Sequence, residues 1–288
     1  MKRLLNCRAS DFRGPITGDS LRDAISASEG RVIMAEIAVQ APPLFAEVTN
    51  AELLCAFGAD LLLLKGIHFQ RPALNGGEER FGADPVSQVK CLTGRLTGVN
   101  FEVLPADDLS SPGAFLPAHL EAVRHADFYC LTGYDKPGVT AGRMCQAIAA
   151  LRAQTDKLIL AAKFYTSGLA QPQEYAGYIS AGADGAIFSA PGGCRGASEG
   201  RVSHIAQAVQ SLGGLAITTL SSSQEGADCA TVRDIGLASK RCGSDMHNFG
   251  DAGVAGMADP EALNALSLAI RGRRHTWVRM ADIPVSLI

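Results

Sequence analysis

Apolar residues in this chain gather in short runs separated by longer stretches of helical periodicity. The runs are Val32 to Val39, Leu61 to Leu64, Gly98 to Leu104, Phe128 to Leu131, Leu158 to Phe164, Gly185 to Phe188, Leu215 to Leu220 and Met246 to Phe249. One phrase introduces four of them: Gly58-Ala59-Asp60, His125-Ala126-Asp127, Gly182-Ala183-Asp184 and Gly243-Ser244-Asp245. Each copy reads as a helix stop, usually at Gly, followed by a tight turn into a buried strand. Between the runs, Thr49 to Phe57 opens with capping-box spacing at Thr49 and Glu52, and Val139 to Gln154 repeats Ala, Ile and Leu at helical spacing. Further helices are predicted near Pro85 to Arg95, Pro117 to Arg124, Pro172 to Ala181, Glu199 to Leu212, Cys229 to Arg241 and Asp259 to Arg271. Strand and helix alternate eight times without a break, which predicts a single-domain (β/α)8 TIM barrel over residues 1–288. Residues 1–30 form an N-terminal extension, in which Asp19 to Ser28 is expected to cover the barrel floor.

Composition agrees with that picture. Of 288 residues, 47% are hydrophobic, 19% charged and 6% aromatic, suiting a core of Ala, Leu, Ile and Val. The net charge of -3 is spread through the chain, so neither nucleic acid nor a membrane surface is an expected partner. Asn6, Arg8, Ser10, Asp11 and Arg13 interrupt the start before an apolar signal segment develops, and no run approaches the roughly 20 residues of a membrane span. A cytoplasmic location is expected. The cysteines, Cys7, Cys55, Cys91, Cys130, Cys145, Cys194, Cys229 and Cys242, include no Cys-x-x-Cys pair and read as reduced small hydrophobes.

Loop lengths orient the barrel. Helix-to-strand turns are short, whereas strand-to-helix loops are long and rich in Gly, Pro and Ser, which marks the functional face. The longest, Gly66 to Asp84 with Asn75-Gly76-Gly77 at its centre, reads equally as a lid and as an oligomer-contact or disordered excursion.

Aligning the odd strands by their apolar cores places Glu36, Glu102, Lys163 and Thr219 at one height, above a layer of Met34, Asn100, Ala161 and Ile217. On the even strands the corresponding positions are Lys65, Thr132, Ser189 and Gly250. Carboxylates and lysines in a water-poor cavity perturb one another as acid–base or Schiff-base chemistry requires, so Glu36, Glu102, Lys163 and Lys65 are the catalytic candidates. The bland reading is a structural ion-pair layer, and position at the mouth favours function over it.

The last two strand-to-helix loops carry Ser221-Ser222-Ser223 and Gly250-Asp251-Ala252-Gly253-Val254-Ala255-Gly256, and Asp259-Pro260 opens the final helix. Barrels often hold phosphate here, so Ser189, Thr219, Ser221, Gly250, Asp251 and Gly253 are candidate substrate- or phosphate-binding residues, with Gly192 and Gly193 extending the site. Tight loop packing explains the same glycines, and the missing βαβ continuation argues against a dinucleotide fingerprint. Strand alternation sends Asn248 inward and His247 toward a helix, as a satisfied core histidine. No spacing supports zinc, but His68, Asp251 and the carboxylates are compatible with a divalent cation such as Mg2+; no other cofactor is indicated. The basic tail Arg271-Gly272-Arg273-Arg274-His275 reads as a solvated or subunit-contact segment, and a homo-oligomer is expected.

The opening Met1-Lys2-Arg3-Leu4-Leu5-Asn6-Cys7, the Ala27-Ser28-Glu29-Gly30-Arg31-Val32 entry to the first strand, Gly250-Asp251-Ala252-Gly253, and Ile270-Arg271-Gly272-Arg273-Arg274-His275-Thr276 resemble an uncharacterised bacterial barrel family. Its members carry the labels phosphoenolpyruvate phosphonomutase-like or haloacid-dehalogenase-like. The resemblance spans essentially the whole chain and implies the barrel, but brings no established activity. Three patterns of the labelled enzymes are missing: Glu-Asp-Lys, Lys-Lys-Cys-Gly-His and an opening Asp-x-Asp. Lys240-Arg241-Cys242-Gly243-Ser244 is only superficially similar and reads as a helix end. The expected function is a lyase or isomerase acting on a small phosphorylated or carboxylated metabolite. The alternative is a non-catalytic sugar-phosphate-binding or regulatory barrel.

Overall fold

The alternating runs become eight parallel strands in the computed structural model of the chain, which describes residues 2–12, 14–76, 84–106, 108 and 111–282. These are β1 (Val32–Ala38), β2 (Leu61–Lys65), β3 (Leu96–Val103), β4 (Phe128–Gly133), β5 (Leu158–Lys163), β6 (Gly185–Ser189), β7 (Leu215–Leu220) and β8 (Met246–Phe249). They close in sequence order, β8 pairing with β1, into the expected barrel. Around it run α2 (Asn50–Ala56), α3 (Pro85–Thr93), α4 (Ala141–Arg152), α5 (Pro172–Ser180), α6 (Glu199–Gln210), α7 (Cys229–Arg241) and α8 (Pro260–Met280), while α1 (Gly18–Ser26) precedes the first strand.

The repeated phrase has a physical function in closing the barrel. Each of its aspartates accepts the backbone N–H that opens the preceding strand: Asp60 from Ile33 at 2.8 Å, Asp127 from Thr97 at 2.8 Å, Asp184 from Ile159 at 2.8 Å and Asp245 from Ala216 at 2.9 Å. The aspartate's own N–H returns to the carbonyl of the same residue. Four carboxylates thereby clip odd strands to even ones at the floor.

Two apolar cores result. One lies between sheet and helices; the other fills the barrel with Val32, Met34, Leu61, Leu63, Leu96, Phe128, Cys130, Leu158, Leu160, Ile187, Ile217 and Met246. Leu4, Phe12, Leu21, Ala24 and Ile25 of the N-terminal extension join the second. Gly98 makes room for Phe128 in that interior: a Cβ there would stand 2.3 Å from the Phe128 ring.

Three expectations need correction. The segment near Pro117 to Arg124 is the 3-10 helix Pro117–Val123; Leu116 gives it no side-chain cap, and only Val123 is buried on it. The last helix runs past Arg271 to Met280 through a kink at Gly272 (φ 71°, ψ 171°), and of its basic stretch Arg273 and Arg274 are exposed whereas Arg271 is not. Arg271 is buried and donates to Asp60 at 2.6 Å, and Arg279 reaches the other Asp60 oxygen at 2.6 Å. Third, β5 sits one residue out of the expected alignment. Leu160 and Ala162 face the barrel interior, whereas Ala161 packs in the outer core and Lys163 shares its side. Leu-Ile-Leu-Ala-Ala is apolar at both parities, so hydrophobicity could not choose its register.

Candidate active site

Strand alternation brings Glu36 on β1 and Lys65 on β2 to the top of the barrel interior, where Lys65 Nζ lies 2.8 Å from Glu36 Oε2. Asp251, in the loop after β8, approaches the same ammonium at 3.3 Å. Asn248 on β8 donates to Glu36 Oε1 at 2.7 Å and to Thr219 Oγ1 on β7 at 2.9 Å. Glu36 thus accepts on both oxygens, held by two neighbouring strands. Burial works to lower the Lys65 pKa, but Glu36, Tyr134 and Asp251 outweigh it and raise it, so the side chain stays an ammonium.

Two groups at this centre were absent from the sequence-based candidates. Tyr134 is raised by burial and feels Lys65, Glu36, Glu102 and Asp251, so it remains a neutral phenol above them. Carrying the alternation one step beyond Thr132 would have found it. Glu225 lies in the short 3-10 turn Gln224–Gly226 after β7. Burial, with Glu36 and Asp251 nearby, pushes its carboxyl above the ordinary range, and its Oε2 has no partner. Nothing periodic in a loop sequence signals such a residue.

The other candidates divide. Ser189 and Thr219 are buried and on the inward side of adjacent strands, paired Cα to Cα. Ser221 Oγ is buried without a partner, as is Asn248 Oδ1. Gly250 and Gly253 are shaped by packing: a Cβ on Gly250 would meet Glu225 Oε1 at 3.1 Å, and one on Gly253 the Glu225 carbonyl at 2.7 Å. Glu102 sits at the top of β3 beside Gly113. Lys163 is not brought to the centre. Its Nζ donates to the Tyr134 carbonyl at 3.3 Å and stands 3.9 Å over the Tyr165 ring, and burial lowers its pKa against Asp135 and Glu174. Of the expected lid, Gly66 to Asp84, residues 77–83 lie outside the described residues.

His247 is fully buried on the outer side, where it donates Nε2–H to the Gly30 carbonyl at 3.1 Å while its Nδ1 is buried without a partner, so the expected core histidine is satisfied at one ring nitrogen only. Among the described residues no three His, Cys, Asp or Glu side chains are grouped to hold a metal, and the Lys65 ammonium already lies against both Glu36 and Asp251. This donor set does not fit a divalent cation. All eight cysteines are free, Cys7, Cys55, Cys130 and Cys242 being buried. No helix among the described residues is long and apolar enough to cross a membrane.

Fold and centre together define a TIM barrel with an ionisable cluster at the carboxyl ends of its strands. The chain belongs to the family described as DUF7916, a domain of unknown function, which matches residues 5–284. No curated protein matches it by sequence. Among solved structures it is similar to a candidate lyase or mutase from Burkholderia cenocepacia, with TM-score 0.54 and 15% identity over 88% of this chain and 84% of that one. It is also similar to the deoxyribose phosphate aldolase of Aeropyrum pernix, with TM-score 0.51 and 13% identity over 85% of this chain and 91% of the other. The 2,3-dimethylmalate lyase of the PEP mutase/isocitrate lyase superfamily aligns with TM-score 0.50 and 13% identity, covering 81% of each chain. At such identities the likeness is one of fold.

Proposed function

We propose that this barrel is an enzyme, a lyase or isomerase that uses acid–base chemistry on a small phosphorylated or carboxylated metabolite. The observation that carries the reading is the Lys65 ammonium, held between Glu36 and Asp251 at the inner rim of the mouth. Removing a proton beside a carbonyl, or breaking a C–C bond in the retro-aldol sense, places negative charge on an enolate oxygen. A fixed ammonium stabilises that charge. Glu36, oriented by Asn248, is positioned to take the proton, and Glu225, whose pKa burial raises, to return one. An ammonium is a poor imine former, so Lys65 acts by charge rather than as a covalent nucleophile. The similar solved structures include a lyase and an aldolase, which agrees with this class of chemistry.

The test is conversion of 2-oxo acids and sugar phosphates followed by mass spectrometry. Lys65→Met is expected to lower turnover by about 10²- to 10³-fold, the effect of losing one preorganised charge. Lys163→Ala should retain turnover, and borohydride with substrate should leave no adduct on either lysine. Ligands that shift the melting temperature without being converted would favour the regulatory barrel instead.

A further inference from the structure

The rim of the mouth that barrels commonly use for phosphate carries three carboxyl groups here: Glu36, Glu225 and Asp251. Among the described residues only Lys65 offsets them in direct contact, and it already lies against both Glu36 and Asp251. A phosphate dianion finds little net positive charge there. A second cavity on the same face, of about 360 Å³, has the opposite character. Its walls are His68 and Gln70 from the loop after β2, and Ser111, Pro112, Ala114, Leu116 and His119 from the segment after β3. None of these is acidic, and four bring polar side chains. Its size falls within the range of small-molecule sites.

These walls are set in place. The Glu102 N–H donates to the Gly113 carbonyl at 2.8 Å and the Phe115 N–H to the Glu102 carbonyl at 2.8 Å, fastening the second wall to β3. The His119 ring stacks on Phe69 at 4.7 Å, and Phe69 on Phe101 at 4.9 Å. His119 Nδ1 donates to the Ala114 carbonyl at 2.9 Å. His68 Nδ1 is buried with no partner. Glu102 comes near Gly113 and Ser111 but is not part of the lining. His68 follows Lys65 by three residues, so their Cα atoms are at most about 11 Å apart, within the span of a small metabolite.

We propose that the His68–Gln70–Ser111–His119 cavity binds an oxyanion, the phosphoryl group of a phosphorylated metabolite whose other end reaches Lys65. The His68 ring in its Nδ1–H tautomer, the Gln70 amide and the Ser111 hydroxyl supply donors for its several acceptor oxygens, and His119 adds one only when its ring carries a second proton, which a bound oxyanion favours. The orientation rests on the function proposed above, whereas the oxyanion site stands without it.

Calorimetric titration of the full-length protein with inorganic phosphate, with acetate as the carboxylate probe, tests the site. Phosphate is expected to bind and to shift the imidazole ¹⁵N resonances of His68 and His119. The paired change His68→Gln with His119→Gln should weaken phosphate at least tenfold. Should that pair disturb folding, Gln70→Glu places a like charge at an exposed wall position and should have the same effect. Lys65→Met should leave phosphate binding intact even as it removes turnover, so the two proposals fail separately. Tighter binding of acetate than of phosphate would overturn the phosphoryl assignment. Absence of phosphate binding, or binding indifferent to all three wall changes but lost in Ser221→Ala, would overturn the site.

Discussion

Glu225 and His247 show how burial tunes single residues to opposite ends. Glu225 is pushed up by burial and by Glu36 and Asp251, so its proton is available below that raised pKa and lost above it. The rate should therefore fall as pH rises through the Glu225 transition. Glu225→Gln should abolish that alkaline limb and lower kcat by about 10²- to 10⁴-fold. A limb surviving unchanged in the variant would remove Glu225 from the mechanism. His247 is held down, to about 4 against an ordinary 6.5, chiefly by burial, which the Gly30 hydrogen bond offsets only in part. Above pH 6.5 it is neutral whether folded or unfolded and contributes no pH dependence. Between 6.5 and about 4 the unfolded chain takes up a proton that the native state refuses, so stability falls with pH, by about 3 kcal/mol in all. Urea midpoints at neutral and acid pH should converge more closely in His247→Asn than in the natural protein.

At the scale of elements, the two arms of α8 are tied down on either side of Gly272. Arg271 donates to Asp60 and to the Gly58 carbonyl, and Arg279 meets Asp60, Asp282 and the carbonyls of Leu4 and Cys7. Arg95, almost wholly buried, adds a 2.7 Å pair with Asp282. Asp60 also clips β1, so one carboxylate links a strand start to the last helix and stays ionised, its burial outweighed by Arg271 and Arg279. Arg271→Met should cost about 3–5 kcal/mol in chemical denaturation, because it strands a buried charge. A loss within the range of a surface substitution would show that Arg279 carries the carboxylate alone. In the sequence Arg271 looked like part of a solvated basic stretch, and nothing singled out Arg95 or Arg279. Their partner lies more than two hundred positions away, beyond the reach of local pattern.

The whole barrel depends on its plug. Leu21 and Ile25 on α1, with Leu4 and Phe12 before it, close the floor over interior residues such as Leu61, Leu96 and Leu158. Each large side chain buried this way contributes about 1.5–3 kcal/mol, so removing residues 2–27 forfeits an amount comparable to the net stability of a typical domain. The truncated chain should be insoluble, or bind hydrophobic dyes, where the full chain does not. A monodisperse, cooperatively melting truncation would show that the barrel closes unaided.

Strand number and order were legible in the chain because each depends on a local signal. Those signals are an apolar run and a Gly-Ala-Asp stop. Glu36 and Lys65 were legible for the same reason: alternation alone decides which side of a strand faces inward. The tertiary structure decided what alternation leaves degenerate. It set the parity of β5, which carried Lys163 away from the centre, and it folded Glu225 and Tyr134 over the Glu36–Lys65 pair. It also buried Arg271 against Asp60. A strand apolar on both faces has no preferred side until its neighbours pair with it, and a loop residue has no address until the barrel closes beneath it.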